Sequence, residues 1–437
     1  MTSNLERALD YLSALTRARL TEFLGGTPEP LPQISFTDQG DPFTRFIQEK
    51  RLSVSELVAL TTALAPYIRP GLFDEAVAEL LPNGGDLPAL GGVKTANSRY
   101  MIPTGETALF LLGGQDLGRR MAAQQLFSAA HFFAVEKVLS IEELKPGDPP
   151  MCGRLIPDPD YVDLFLTGQI QTPKFGANFP ARRIQTEMEW DDLVLDAHTL
   201  SQIRELENWV RYNDALLHDW EMYRKVKPGY RALFFGPPGT GKTLTASLLG
   251  KYTGCEVFRV DLSMVISKFI GETEKNLSAL FDKAQNKNWI LFFDEADAIF
   301  SKRTGVRDAH DKYANQEVSY LLQRVEDYPG LTILASNFKS NIDEAFIRRF
   351  NAMIYFAPPG VSERTILWEK NIPRMAQLAD DVNLRDLAQR YELTGAHIVN
   401  IVQNACLRVL GRGERAICAD DLLHSIRREL AKEGKSV

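Results

Sequence analysis

RALFFGPPGTGKTLTASLLG, residues 231–250, is a short apolar run, a turn crowded with Gly and Pro, and a stretch of helical character. Arg231 to Phe235 reads as a buried strand, and LTASLLGKY as a helix. Between them, Gly236-Pro237-Pro238-Gly239-Thr240-Gly241-Lys242-Thr243 satisfies Gly-x-x-x-x-Gly-Lys-[Ser/Thr] in the strand–turn–helix setting that pattern requires. The glycines let backbone N–H groups turn inward around phosphate oxygens, and the helix N-terminus adds the positive end of its dipole. Lys242 brings a point charge for β- and γ-phosphates, and Thr243, followed by Leu244, offers a hydroxyl to Mg²⁺.

Further along, Trp289-Ile-Leu-Phe-Phe293 is a second strand run ending in Asp294-Glu295-Ala296-Asp297. Asp294 follows Lys242 by 52 positions, room for the helix, strand and helix of a wound sheet. An acidic pair at a strand end is by itself an ordinary helix start. Behind a phosphate loop, Asp294 suits Mg²⁺ and Glu295 suits polarising the water that attacks the γ-phosphate. A third run, Leu331 to Ser336, ends at Asn337, whose amide at a strand tip is placed to orient that water. Then Arg348 and Arg349 close an otherwise apolar helix end. They cannot easily serve the nucleotide Lys242 holds, but in a ring of identical subunits they reach the neighbour's γ-phosphate.

With these motifs in this order, residues 191–437 resemble the AAA family of ring-forming ATPases. The segment Asp343-Glu344-Ala345, Arg348-Arg349-Phe350, Ile354-Tyr355-Phe356 is similar to the spastin and katanin branch, with its two arginines adjacent rather than separated by Pro-Gly. The resemblance implies ATP and Mg²⁺ as cofactors, a hexameric homo-oligomer, and a polypeptide client. It also implies roles for other residues. Lys268, Phe269, Ile270 and Gly271 match the aromatic-aliphatic-Gly loop that lines the central pore and grips extended chain. Gly395 and Ala396 match the lid turn beside adenine and ribose, whereas Trp190 to Leu195 replaces the usual Gly-Gly element upstream of the sheet. The Tyr313–Tyr320 stretch is similar to prokaryotic AAA proteins, some of which accompany contractile injection systems.

The expected architecture is α/β. It has an N-terminal, mainly helical, winged-helix-like partner-binding domain (1–145) and a Pro/Gly-rich connector (146–190). A P-loop NTPase core with a parallel sheet (191–360) and a helical lid (361–437) follow. Within the first domain, apolar spacing predicts a helix over 5–24, Ser53-x-x-Glu56 a capped second helix, 99–113 two short strands, and 117–138 one continuous helix. Composition narrows the function classes. Of 437 residues, 44% are hydrophobic and 24% charged, which excludes a mostly disordered chain. Net charge is −7, and residues 1–190 hold 17 basic against 23 acidic side chains, so nucleic acid is not the default partner and a nucleic-acid motor or loader is the lesser alternative. A nucleotide-gated scaffold with little hydrolysis is a third reading, disfavoured by Glu295 and both arginines. Four scattered Cys make no disulfide framework or metal knuckle. The charged N-terminus and the lack of a long apolar run point to a cytoplasmic chain without a membrane span.

Overall fold

The computed structural model describes the chain apart from residues 1–2, 37–39, 82–86, 97, 177–178, 266–271, 286, 297–318, 338–346, 433 and 435–437. It divides into two compact units, Met1–Thr172 and Pro173–Val437.

In the first unit, α1 (Asn4–Phe23), α2 (Pro42–Lys50), α3 (Val54–Ile68), α4 (Leu72–Leu80) and α5 (Gly105–Gly113) enclose two apolar clusters. One is built around Leu60, Leu64 and Phe133, the other around Leu12, Phe73 and Phe110. Ser3 with Glu6 and Ser53 with Glu56 cap α1 and α3 reciprocally, which satisfies N–H groups the first turn leaves open. Two antiparallel pairs complete the unit: β1 (Val93–Thr95) with β2 (Ser98–Ile102), and β3 (Leu139–Ile141) with β4 (Leu155–Pro157).

Two sequence expectations are corrected here. The second strand expected within 99–113 is the helix α5, begun at Thr104, whose N–H donates to the Thr107 hydroxyl at 3.0 Å. Its ALFLL run is buried on all sides, so no periodicity distinguishes it from a strand. The continuous helix expected over 117–138 is broken into α6 (Leu117–Gln124) and α7 (Phe132–Val135), with Val138 leading into β3. His131 enforces the break. Its Nδ1 accepts from the Phe133 N–H at 3.2 Å, capping α7, while Nε2 lies 3.1 Å from Glu56 of α3. The 146–190 stretch is shared out. β4 and α8 (Pro159–Thr167) pack into the first unit, Phe165 against Phe43 and Phe46, and β5 (Ala181–Ile184) joins the sheet of the second.

That sheet has six strands. β6 (Tyr230–Phe235), β7 (Glu256–Val260), β8 (Trp289–Phe293), β9 (Leu331–Ser336) and β10 (Ala352–Tyr355) are parallel, in the order β10-β6-β9-β8-β7, and β5 closes the edge antiparallel to β7. Burial on both faces explains why β8 reads as an unbroken apolar run and β9 as a mainly apolar one. Alternate residues serve opposite sides. Leu291, Phe293 and Leu334 pack with α11 (Leu262–Val265) and α12 (Glu272–Ala284), while Ile290, Phe292 and Ile333 pack with α9 (Ala197–His218) and α10 (Lys242–Thr253). Each fully buried Phe of β8 contributes roughly 2–3 kcal/mol. After β10 the chain is mainly helical, with one short parallel pair, Gln377–Leu378 on Ala416–Ile417: α13 (Val361–Asn371), α14 (Leu384–Arg390), α15 (Gly395–Gly411) and α16 (Ala419–Ala431) close over Trp368, Ile398, Val402 and Ile426. The buried Asp421 carboxylate takes both Arg412 Nη atoms at 2.7 Å, and that guanidinium holds it well below the usual carboxylate range. The clamp pins the end of α15 to the start of α16. No helix among the described residues is long and apolar enough to cross a membrane.

Candidate functional site

β6, β9 and β8 are neighbours in the sheet and end on the same side, so the segments that leave them meet despite their distance in sequence. The Gly236 N–H donates to Ser336 O at 3.2 Å, and the Ala296 N–H to Ala335 O at 2.8 Å, which ties the three strand tips together.

Gly236 and Gly239 are required here. Gly236 sits at φ +148°, and a Cβ on it would lie 2.2 Å from the Phe356 carbonyl oxygen. Gly239 sits at φ +75°, and its Cβ would meet Thr394 Oγ1 at 2.7 Å and Ala396 Cβ at 2.8 Å. The phosphate-type loop is thus packed against the lid helix α15. Lys242, the first residue of α10, is buried. Its ammonium donates to Gly236 O at 2.7 Å, Pro237 O at 2.9 Å and Asn337 Oδ1 at 3.3 Å.

Glu295 has φ +53°, a left-handed conformation that costs a non-glycine residue about 1 kcal/mol. It is held there by the Ala296–Ala335 bond and by its own N–H, which donates to Asp294 Oδ1 at 3.1 Å. Strain of this kind collects where a side chain must be aimed. Asp294 Oδ2 also forms an ion pair with Arg259 Nη2 at 3.0 Å.

These groups line a cleft of about 470 Å³. Its floor is Pro238 to Leu244, with Asp294, Glu295 and Asn337 at one end and Gly395 and Ala396 at the other. Gly236 and Pro237 lie behind it, their carbonyls turned to Lys242. Thr243 and Asp294 supply hydroxyl and carboxylate oxygens to one cavity, hard donors that suit Mg²⁺ when water and phosphate complete the shell.

Sequence reasoning missed most of the side wall. Met188, Asp192, Leu193 and Val194 line the cleft together with Leu367, Asn371 and Val399 of the lid, and Val194 packs on the lid's apolar cluster. The 188–194 segment is strapped to the end of α10. Lys251 Nζ reaches Glu189 Oε1 at 2.8 Å and Met188 O at 3.0 Å, Tyr252 donates its hydroxyl to Glu189, and Trp190 packs on Tyr252 with ring centroids 5.7 Å apart. Lys251, then Tyr252, hold the Glu189 carboxyl below its ordinary range. The absence of a Gly-Gly pair in Trp190–Leu195 was the available signal that this wall is built differently. Arg364 fixes the hinge into the lid. Buried, it donates to Pro359 O and Ala388 O, both at 2.7 Å.

Arg348 and Arg349 are exposed and lie outside the cleft lining. Arg349 pairs with Glu326 at 2.6 Å; Arg348 makes no ion pair among the described residues. Lys268, Phe269, Ile270 and Gly271 lie outside the described residues, as does Asp297.

Residues 232–358 match the family model of the ATPase family associated with various cellular activities (AAA). Over 229 residues the chain is 32% identical to the cell division cycle protein 48 homolog of Archaeoglobus fulgidus, covering 50% of this chain and 30% of that protein. It is 30% identical over 261 residues to the human A-like 1 form of the katanin p60 ATPase-containing subunit, covering 56% and 50% respectively. With Protein SAV of Sulfolobus acidocaldarius it shares 28% identity over 364 residues, 80% of this chain and 45% of the relative. The chain thus spans half or less of the length of these curated relatives.

Proposed function

We propose, on the match of residues 232–358 to the AAA family model, that this protein hydrolyses ATP as a hexameric ring of identical protomers and uses the cycle to remodel or dismantle protein assemblies. The observation that carries the reading is the convergence of Lys242, Asp294–Glu295 and Asn337 on one cleft whose far wall belongs to the lid.

The loop N–H groups and the α10 N-terminus receive the phosphates, and Lys242 exchanges the carbonyls of Gly236 and Pro237 for phosphate oxygens. Thr243 and Asp294 would hold Mg²⁺, which supplies neutralisation of phosphate charge. Glu295 takes the proton of the attacking water, and the Asn337 amide orients that water. Base and ribose sit between the 188–194 wall and Leu367, Asn371, Gly395, Ala396 and Val399 of the lid. The adjoining protomer completes the pocket with an arginine. Arg349 is engaged by Glu326, so Arg348 is assigned the principal finger. Phe269 and Ile270 grip the client polypeptide, and residues 1–172 bind the partner that delivers it.

Three experiments test this. Arg348→Ala is expected to lower kcat by about a thousandfold with nucleotide affinity intact, and Arg349→Ala by under about tenfold. Wild-type specific activity should fall on dilution as rings dissociate. Full activity of Arg348→Ala, undiminished by dilution, would sink the shared-pocket reading. Phe269→Ala is expected to keep ATP turnover within about twofold while client capture by a Glu295→Gln ring is lost when both changes are combined. Undiminished capture by the double variant would remove the pore grip.

A further inference from the structure

We infer that Arg259 is a built-in counter-cation for Asp294 that competes with the divalent metal for its carboxylate; this rests on the nucleotide reading of the cleft. Arg259 lies on β7 opposite Phe292 of β8, two residues before Asp294, and so projects on the same side of the sheet as Asp294. On its other flank it is paired directly with Arg182 of β5. Like charges in such a pair repel, and the two part company. Arg182 lays its guanidinium over the Phe175 ring, 4.0 Å from the centroid, while Arg259 leans to Asp294 Oδ2 at 3.0 Å. The other oxygen, Oδ1, takes the Glu295 N–H. Both oxygens of the expected metal-holding carboxylate are therefore engaged, one by a full positive charge.

That charge does two things. It offsets the adjacent Asp294 and Glu295 carboxylates while no metal is present, and it opposes a dication that approaches Asp294. Only a metal arriving with phosphate charge is favoured enough to share the carboxylate. Arg259 is not among the residues that line the cleft and acts through Asp294, so it is a positioning residue that sets metal affinity.

The test is Mn²⁺ binding to the ADP complex of the full chain, read by electron paramagnetic resonance at physiological salt without turnover. Removing a unit charge paired with the metal-holding carboxylate is expected to tighten Mn²⁺ about fivefold in Arg259→Met. Arg259→Lys keeps the charge and is expected to stay within about twofold of wild type. Metal-free ADP affinity, measured with a fluorescent analogue, should be the same in all three, which reports an intact cleft. Unchanged or weaker Mn²⁺ binding in Arg259→Met overturns the inference, the weaker result marking Arg259 as a clamp that orients Asp294. Failure of the wild type to bind ADP or Mn²⁺ at all instead overturns the nucleotide reading, and the inference with it.

Discussion

Glu295→Gln is expected to reduce ATP turnover by about a thousandfold while leaving nucleotide affinity within about twofold. The amide keeps the shape of the side chain and removes its basicity. Nothing that places position 295 depends on the carboxylate. The backbone is fixed by the Ala296 N–H on Ala335 O, and the residue's own N–H donates to Asp294. Loop, Lys242 and lid walls are untouched, so binding should persist and bound ATP should accumulate. Single-turnover hydrolysis and equilibrium binding on the same preparation separate the two quantities. Retention of even a tenth of wild-type turnover would assign the proton transfer elsewhere.

Lys242→Met is expected to act on the other axis, weakening ATP by roughly a hundredfold through the loss of charge-assisted bonds worth about 1.5–3 kcal/mol each. Methionine matches the stem length, so packing within α10 should survive. The carbonyls of Gly236 and Pro237 lose their donor, and the loop loses the bracket that ties its first residues to α10 and to Asn337. ADP should suffer less than ATP, since the γ-phosphate contact is absent from the diphosphate. Equal losses for the two nucleotides would show that Lys242 acts mainly by holding the loop, and would count against direct phosphate contact.

The end of the cleft that gathers the phosphate-type loop, Asp294–Glu295 and Asn337 was legible because its signals are local. The phosphate loop, Asp294–Glu295 and Asn337 each follow a short, mainly apolar run that reads as a buried strand, and a parallel sheet brings such strand ends together. The wall was not legible. Met188 to Val194 has no periodicity, and its position depends on Lys251 and Tyr252 more than sixty residues away. The Arg259–Asp294 pair follows from the β7–β8 register, a relation no local pattern expresses. Errors in the first unit have a different origin. The ALFLL run of α5 is apolar on every side, and the break before α7 is set by His131 meeting Glu56 on a distant helix.

The fit of Gly239 against Thr394 and Ala396 leaves less than the width of a methyl group between the turn that would cradle a triphosphate and the helix that roofs it. If loss of the terminal phosphate lets this turn relax by an ångström, the roof must swing, and every residue rigidly carried by α15 swings with it. Chemistry and leverage would then be separated by a single interatomic contact, so a stroke could begin where the bond breaks.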